Sequence, residues 1–251
     1  MSRGSGVVPD PAFSNPRLAS LYDAMEADRS DLDAYVGMIE EFSSRRVLDI
    51  GCGTGTLAVL LARRGIEVTG LDPASASLDV ARSKPGAERV TWLHEDATGL
   101  SPMQLDLALM TGNVAQVFLS DQDWDATLAG VHTALRPGGR LVFETRVPAA
   151  QAWLGWVPAL SRRRTKIPGV GAVESWVDVT DVGPRLVSFR STYRFEEGGA
   201  VLHSDSTLRF RNEEEVADSL HRAGYTVLDV RGAADRPGKE LVFVAQRPED
   251  R

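Results

Sequence analysis

Val47-Leu48-Asp49-Ile50-Gly51-Cys52-Gly53-Thr54-Gly55 decides how this chain is read. A short strand-like run ends in glycines, and an apolar helical pattern follows from Leu57 to Ala62. Strand, tight turn and helix in that order make a β-α unit. Glycine permits the turn and lets a ligand approach the backbone near a helix N-terminus. A dinucleotide fingerprint needs its third glycine three positions after the second. Thr56 stands there, and the third glycine is Gly55, so the pattern is G-x-G-x-G. Asp49 lies two residues before Gly51. Its carboxylate repels a pyrophosphate and attracts an ammonium or a sulfonium. The loop therefore suits a nucleoside with a cationic tail.

Working outward, the strand Glu67–Leu71 closes on Asp72 and Pro73. Asp72 lies where a carboxylate accepts from ribose hydroxyls, although a helix cap or turn former also fits that place. A helix near Ala76–Arg82 leads to the strand Val90–Leu93, then to Asp96 and Ala97. That pair either sits beside an adenine amino group or forms a surface turn. The strand Leu105–Met110, the helix Asp123–Leu135 and the strand Arg140–Thr145 continue the alternation. Parallel strands with right-handed crossovers, a doubly wound α/β sheet, are the expected fold.

The rhythm breaks after Arg146. Three alternating runs, 173–182, 186–196 and 200–210, are separated by Gly183-Pro184 and Gly198-Gly199, as in a β meander. The helix Asn212–Ala223 and the strands Tyr225–Val230 and Glu240–Gln246 then resume the sheet. The expected organisation is a flexible tail over 1–16, a cofactor-binding α/β domain with an N-terminal helical lid over 17–146, an inserted β cap over 147–210, and the end of the sheet over 211–251. The helical pattern of the lid runs from Arg17 to Phe42.

Residues 47–145 resemble the class I S-adenosylmethionine-dependent methyltransferases of small-molecule type. The resemblance rests on VLDIGCGTG at 47–55, Leu71-Asp72-Pro73, Glu95-Asp96-Ala97, the segment Asp106–Asn113 and the segment Leu135–Phe143, in order. It implies a Rossmann-like, seven-stranded, mostly parallel sheet with an antiparallel last strand, and S-adenosylmethionine as cofactor. It also implies that Asp49 with Gly51, Cys52, Gly53 and Gly55 holds the methionine end. Asp72 with Pro73 would take the ribose, and Asp96 with Ala97 the adenine. Met110, Thr111 and Gly112 would back the cofactor near its methyl, while Asn113 and Gln116 face cofactor or substrate. Tyr22, beside Asp23, is similar to a lid tyrosine of such proteins; an ordinary packed aromatic is the other reading.

The implied activity is methyl transfer to a small molecule at an unspecified O, N or C atom. An NAD-dependent oxidoreductase is disfavoured by Thr56 and Asp49, and a non-catalytic cofactor-binding protein of the same fold is the third reading. No catalytic residue is assigned. Glu144 and Arg146, at a strand end, and His203 in the cap are conceivable contributors, but structural or solvent-facing roles suit them better. Trp153, Trp156 and Trp176 either line an acceptor pocket or pack the insertion. The basic run Arg162–Lys166 reads as a solvated loop.

Composition narrows the partners. The 251 residues carry a net charge of −7, which argues against general affinity for nucleic acid. Cys52 is the single cysteine and the four histidines are scattered, so neither a disulfide nor a metal site is expected. No apolar stretch approaches a membrane span, and Met1–Pro16 lacks a signal-peptide core. A cytoplasmic protein without membrane or nucleic-acid partners is expected.

Overall fold

A computed structural model describes residues 8–250. The chain opens with three single helical turns, α1 (Pro11–Ser14), α2 (Pro16–Ala19) and α3 (Tyr22–Met25), and then α4 (Leu32–Glu41). The continuous helical pattern expected over 17–42 is thus broken. Around the break, Ser30 N donates to Asp28 Oδ1 at 3.1 Å and Arg29 Nε donates to Asp31 Oδ1 at 3.1 Å. Such local side-chain bonds compete with the helix for the backbone.

The tail expected over 1–16 is also corrected within its described part. Proline opens α1, Asn15 Oδ1 accepts from Arg17 N at 2.9 Å to cap α2, and Ala12 N donates to Ser204 Oγ at 2.9 Å. Met1–Val7 lie outside the described residues.

The α/β units follow in chain order: β1 (Arg46–Ile50), α5 (Thr56–Arg63), β2 (Glu67–Leu71), α6 (Ser75–Ser83), β3 (Val90–Leu93), β4 (Leu105–Met110), α7 (Asp121–Ala134) and β5 (Leu135–Arg146). A short helix α8 (Pro158–Ser161) leads into β6 (Arg163–Ile167), β7 (Gly171–Val182), β8 (Leu186–Phe195) and β9 (Val201–Arg209). The chain returns through α9 (Glu213–Arg222) to β10 (Thr226–Gly232) and β11 (Glu240–Gln246). Asn212 and Glu215 close a reciprocal capping box that starts α9.

Seven strands form one sheet in the order β10-β11-β5-β4-β1-β2-β3. β1 pairs parallel with β2 and β4, while β11 runs antiparallel to β5. This is the doubly wound, mostly parallel sheet expected from the sequence. Chain order reverses between β1 and β4, and open α/β sheets bind ligands at the carboxyl ends of strands beside such a switch.

Apolar side chains cover both faces. Trp124, Leu128, Phe143 and Phe243 pack one face, and Leu57, Leu61, Val47 and Leu107 the other. A fully buried leucine contributes roughly 1.5–3 kcal/mol, so these two layers fix where the β1 and β4 ends must lie.

The insertion is a four-stranded antiparallel sheet, β6-β7-β8-β9. It has one strand more than the meander expected, because Arg163–Ile167 is a strand rather than a solvated loop. Its charges are matched along an exposed edge: Arg162 pairs with Glu174, Arg163 with Glu26, and Arg164 with Glu196. Charged side chains are what keeps such an edge from pairing further. Leu18 and Leu21 of the N-terminal region pack with Ile167, Val173 and Phe195 of this second sheet. The lid and the insertion therefore share one small core.

Candidate active site

A cavity of about 790 Å³ lies between the carboxyl ends of the seven-stranded sheet, the N-terminal segment and the second sheet. It brings together Tyr22, Asp49, Gly51, Cys52, Gly53, Asp72, Pro73, Asp96, Ala97, Thr111 and Gly112. These stood far apart in sequence and were read as one site. Gly55, Met110 and Gln116 are not among its lining residues.

The glycine loop explains its own composition. Gly51, Gly53 and Gly55 all adopt left-handed φ, at 66°, 53° and 76°. A Cβ on Gly53 would meet nothing within 4 Å, so this glycine leaves open space at the cavity wall. Gly55 is different. A Cβ there would come within 2.5 Å of the Trp92 ring and 2.8 Å of Ala81 Cβ. Its smallness serves helix–strand packing.

Asp49 is buried, and its Oδ2 has no hydrogen-bond partner. Burial, with the charge of Asp72 added, lifts its carboxyl to about 7, while Arg29 pulls the other way. Asp72 Oδ2 accepts from Gly53 N at 2.8 Å and Oδ1 from Ala74 N at 2.7 Å. It ties the glycine loop to the turn before α6, so the turn-forming reading describes part of what it does. Burial also raises the Asp72 carboxyl above its ordinary value. Two neighbouring acids held above their usual range form a site that a cation stabilises.

Asp96 caps the short turn Ala97–Gly99, accepting from Thr98 N at 2.9 Å. Burial pushes the Cys52 thiol well above its usual range. A protonated thiol is a poor nucleophile, in keeping with a small residue inside a turn.

The end of β4 is held by a buried polar network. Glu144 Oε1 accepts from Asn113 N at 2.9 Å, Glu144 accepts from the Tyr35 hydroxyl, and Asn113 Nδ2 donates to Glu240 at 3.2 Å. The network sets the turn that follows Thr111 and Gly112. Glu144 is spent there. Arg146 donates to Gln116 Oε1 at 2.9 Å, and Gln116 Nε2 donates to Arg209 O at 3.2 Å. Gln116 thus bridges two elements, and Met110 is a fully buried strand residue.

His203 is exposed, with Nδ1 3.1 Å from Thr192 Oγ1. The tryptophans pack rather than line the cavity: Trp153 meets Phe210 edge-on at 4.7 Å, Trp156 meets Phe189 at 4.9 Å, and Arg162 covers Trp176 at 4.3 Å.

Other lining residues escaped the sequence reading. Arg29 sits in the wall beside Tyr22, inside the run read as one continuous helix. Asp23 accepts from Thr54 Oγ1 at 2.6 Å and from Thr56 Oγ1 at 3.2 Å, and pairs with Lys84 at 2.7 Å. Tyr22 therefore faces the cavity while its neighbour latches the lid onto the glycine loop. The far wall is built by Asp10 with the second sheet. No motif announced it.

This is a Rossmann-like fold with its cleft at the carboxyl ends of the strands. Residues 47–139 match the family described as "Methyltransferase domain", and the chain has the fold of the S-adenosylmethionine-dependent methyltransferases. It is 34% identical over 135 residues to a demethylmenaquinone methyltransferase of Deinococcus radiodurans, covering 53% of this chain and 56% of that one. It is 32% identical over 182 residues to a malonyl-[acyl-carrier protein] O-methyltransferase of Serratia marcescens, covering 71% and 66%. The chain thus spans somewhat more than half the length of these two relatives. Its fold matches the amino pentose methyltransferase CalS10 from Micromonospora echinaspora, solved with S-adenosylmethionine bound. The TM-score is 0.67 at 21% identity, over 91% of this chain and 95% of that one. No helix among the described residues is long and apolar enough to cross a membrane.

Proposed function

We propose that this chain binds S-adenosylmethionine in the cavity and transfers its methyl group to a small molecule. One observation carries the reading: a buried carboxylate, Asp49, leaves an oxygen without a partner at the cavity wall, a place that a cationic donor group satisfies best. Arg29 lines the same cavity, so the wall offers both a carboxylate and a guanidinium to the two ends of an amino acid. The α-ammonium would meet Asp49 and the α-carboxylate Arg29. The ribose hydroxyls would reach Asp72, whose lone pairs exceed its two backbone bonds. The adenine would lie by Asp96 and Ala97.

When bound, the cofactor supplies an activated methyl on a positively charged sulfur. The protein's part is to orient that methyl and keep water away. Tyr22 and the Asp23 latch close the lid side, and the second sheet closes the other. A pyrophosphate in place of the amino acid would face both Asp49 and Asp72, which disfavours a dinucleotide. The cavity, at about 790 Å³, lies within the ~300–1,000 Å³ typical of ligand sites.

Isothermal titration of the folded protein with S-adenosylmethionine, S-adenosylhomocysteine and NADH tests the assignment. Binding of the first two, with loss of about tenfold or more in Asp49→Asn, is the expected result. Binding of NADH alone overturns it.

A further inference from the structure

The far wall of the cavity is polar in a particular way. β8 and β9 lay Ser188 opposite Thr207 and Arg190 opposite Asp205. The two hydroxyls are 2.8 Å apart, and Arg190 Nε donates to Asp205 Oδ1 at 2.6 Å. The register of β7 against β8 slips between Val179 and Asp181. Such a bulge re-aims a side chain, and Thr180 lies in the cavity wall.

Asp10 completes this wall. It holds the N-cap position of α1, where an aspartate ordinarily bonds its own helix, yet its side chain makes no cap bond. It lies in the cavity wall with Ser206 instead. No salt bridge joins Asp10 to a cation among the described residues, whereas Asp205 is neutralised by Arg190.

We propose that this wall binds the methyl acceptor, that the acceptor is a polyhydroxylated amine, and that Asp10 receives its nitrogen. The proposal rests on the methyltransferase reading and deepens it. Hydroxyls on Thr180, Ser188 and Thr207 offer both donors and acceptors, which suits a polyol and ill suits the ring and tail of a quinone. The acceptor atom follows from acidity. A carboxylate is far too weak a base to activate an aliphatic hydroxyl, and the described lining residues include no histidine. An ammonium, by contrast, pairs with a carboxylate and gives up its proton readily. Burial, eased by the Ser206 hydroxyl and reinforced by Asp205, holds the Asp10 carboxyl above its ordinary value and makes it a better proton acceptor.

The step balances as follows. The bound ammonium first releases one proton through Asp10 to water; the neutral amine then forms the new N–C bond while the S–CH3 bond breaks, its electron pair staying on sulfur. The sulfonium becomes a thioether, and the proton of the new ammonium passes to Asp10 and then to water.

The test follows methyl gain by mass spectrometry with S-adenosylmethionine as donor. The probes are glucosamine, galactosamine and amino-sorbitol, with glucose, galactose and sorbitol as matched polyols and a short-chain ubiquinol. Transfer to the amines alone is expected. Asp10→Asn should lose about a hundredfold in kcat/KM on the amine while keeping its affinity for S-adenosylmethionine, and Asp10→Glu should recover part of the loss. Transfer to the polyols or the quinol, no transfer to any amine by protein that binds the donor, or an Asp10→Asn variant as active as the wild type overturns the proposal. Absence of donor binding instead sinks the cofactor reading beneath it.

Discussion

Asp23 on the N-terminal segment accepts a hydrogen bond from Thr54 Oγ1 of the glycine loop at 2.6 Å, and the same carboxylate holds Lys84 at 2.7 Å. The lid is therefore fastened by one side chain to the loop proposed to bind the methionine end of the cofactor. The residue before it, Tyr22, lines the cavity. Opening the lid means breaking this latch.

Asp23→Ala should loosen the lid with little change in global stability. Hydrogen bonds to a charged group are worth about 1.5–3 kcal/mol, which corresponds to about tenfold or more in affinity. Expected outcomes are a weaker S-adenosylhomocysteine complex, carried by faster dissociation in stopped flow, and faster amide exchange over residues 22–32. An unchanged dissociation rate would show that the latch is decorative.

Asp49 predicts a proton linkage. Its carboxyl is raised in the folded protein from 3.8 to about 7, so the folded state holds a proton that the unfolded state has released between those values. Stability of the ligand-free protein should therefore fall as pH rises from about 4 to about 7. Asp72, also raised by burial, acts in the same direction. A cation at Asp49 favours its charged form and expels the proton. Donor affinity should then tighten as pH rises towards about 7, by up to about tenfold per unit, and level off above it. Calorimetry in buffers of different ionisation heat should detect proton release near pH 6, and Asp49→Asn should abolish most of it.

Two glycines of one loop should fail differently. Gly55→Ala places a methyl 2.5 Å from the Trp92 ring at a φ of 76°. Left-handed strain of about 1–2 kcal/mol adds to overpacking of about 1–3 kcal/mol, and thermal unfolding should drop by roughly 5–10 °C. Gly53→Ala meets nothing but the cavity; it should cost about 1–2 kcal/mol of stability and mainly lose donor affinity.

The contrast shows what a sequence can carry. Asp49, Gly51 and Gly53 were legible because strand, turn and carboxylate fall within nine consecutive positions and each implies the next. Asp72 followed from a strand end at a fixed distance. The packing duty of Gly55 was not legible because its partner, Trp92, arrives through the pairing of β2 and β3, which periodicity does not report. Gln116 looked ligand-facing as a polar residue after a strand, but Arg146 and Arg209 meet it from two other elements. The far wall was hidden for the same reason: Asp10 and Ser206 are brought together only by docking the N-terminal segment on β9. The tryptophans carried no direction at all, since an aromatic in an insertion serves a pocket or a core equally well until its neighbours are known.

Glu144 tests whether a buried acid at the carboxyl end of a strand must be catalytic. It accepts from Asn113 N at 2.9 Å and from the Tyr35 hydroxyl, is largely buried, and is absent from the cavity wall. Removing it in Glu144→Ala leaves two interior donors without an acceptor, at about 1–3 kcal/mol each. The turn after β4 should then loosen and the unfolding midpoint fall. Turnover measured per folded molecule tells the roles apart. Loss of a general base costs about 10²–10⁴-fold and removes a limb of the pH–rate profile. Loss of a positioning residue leaves the profile in place and lowers the rate only as far as Thr111 and Gly112 drift. The structure predicts the second pattern, with Glu144→Gln, which keeps an acceptor oxygen for Asn113, recovering most of the stability.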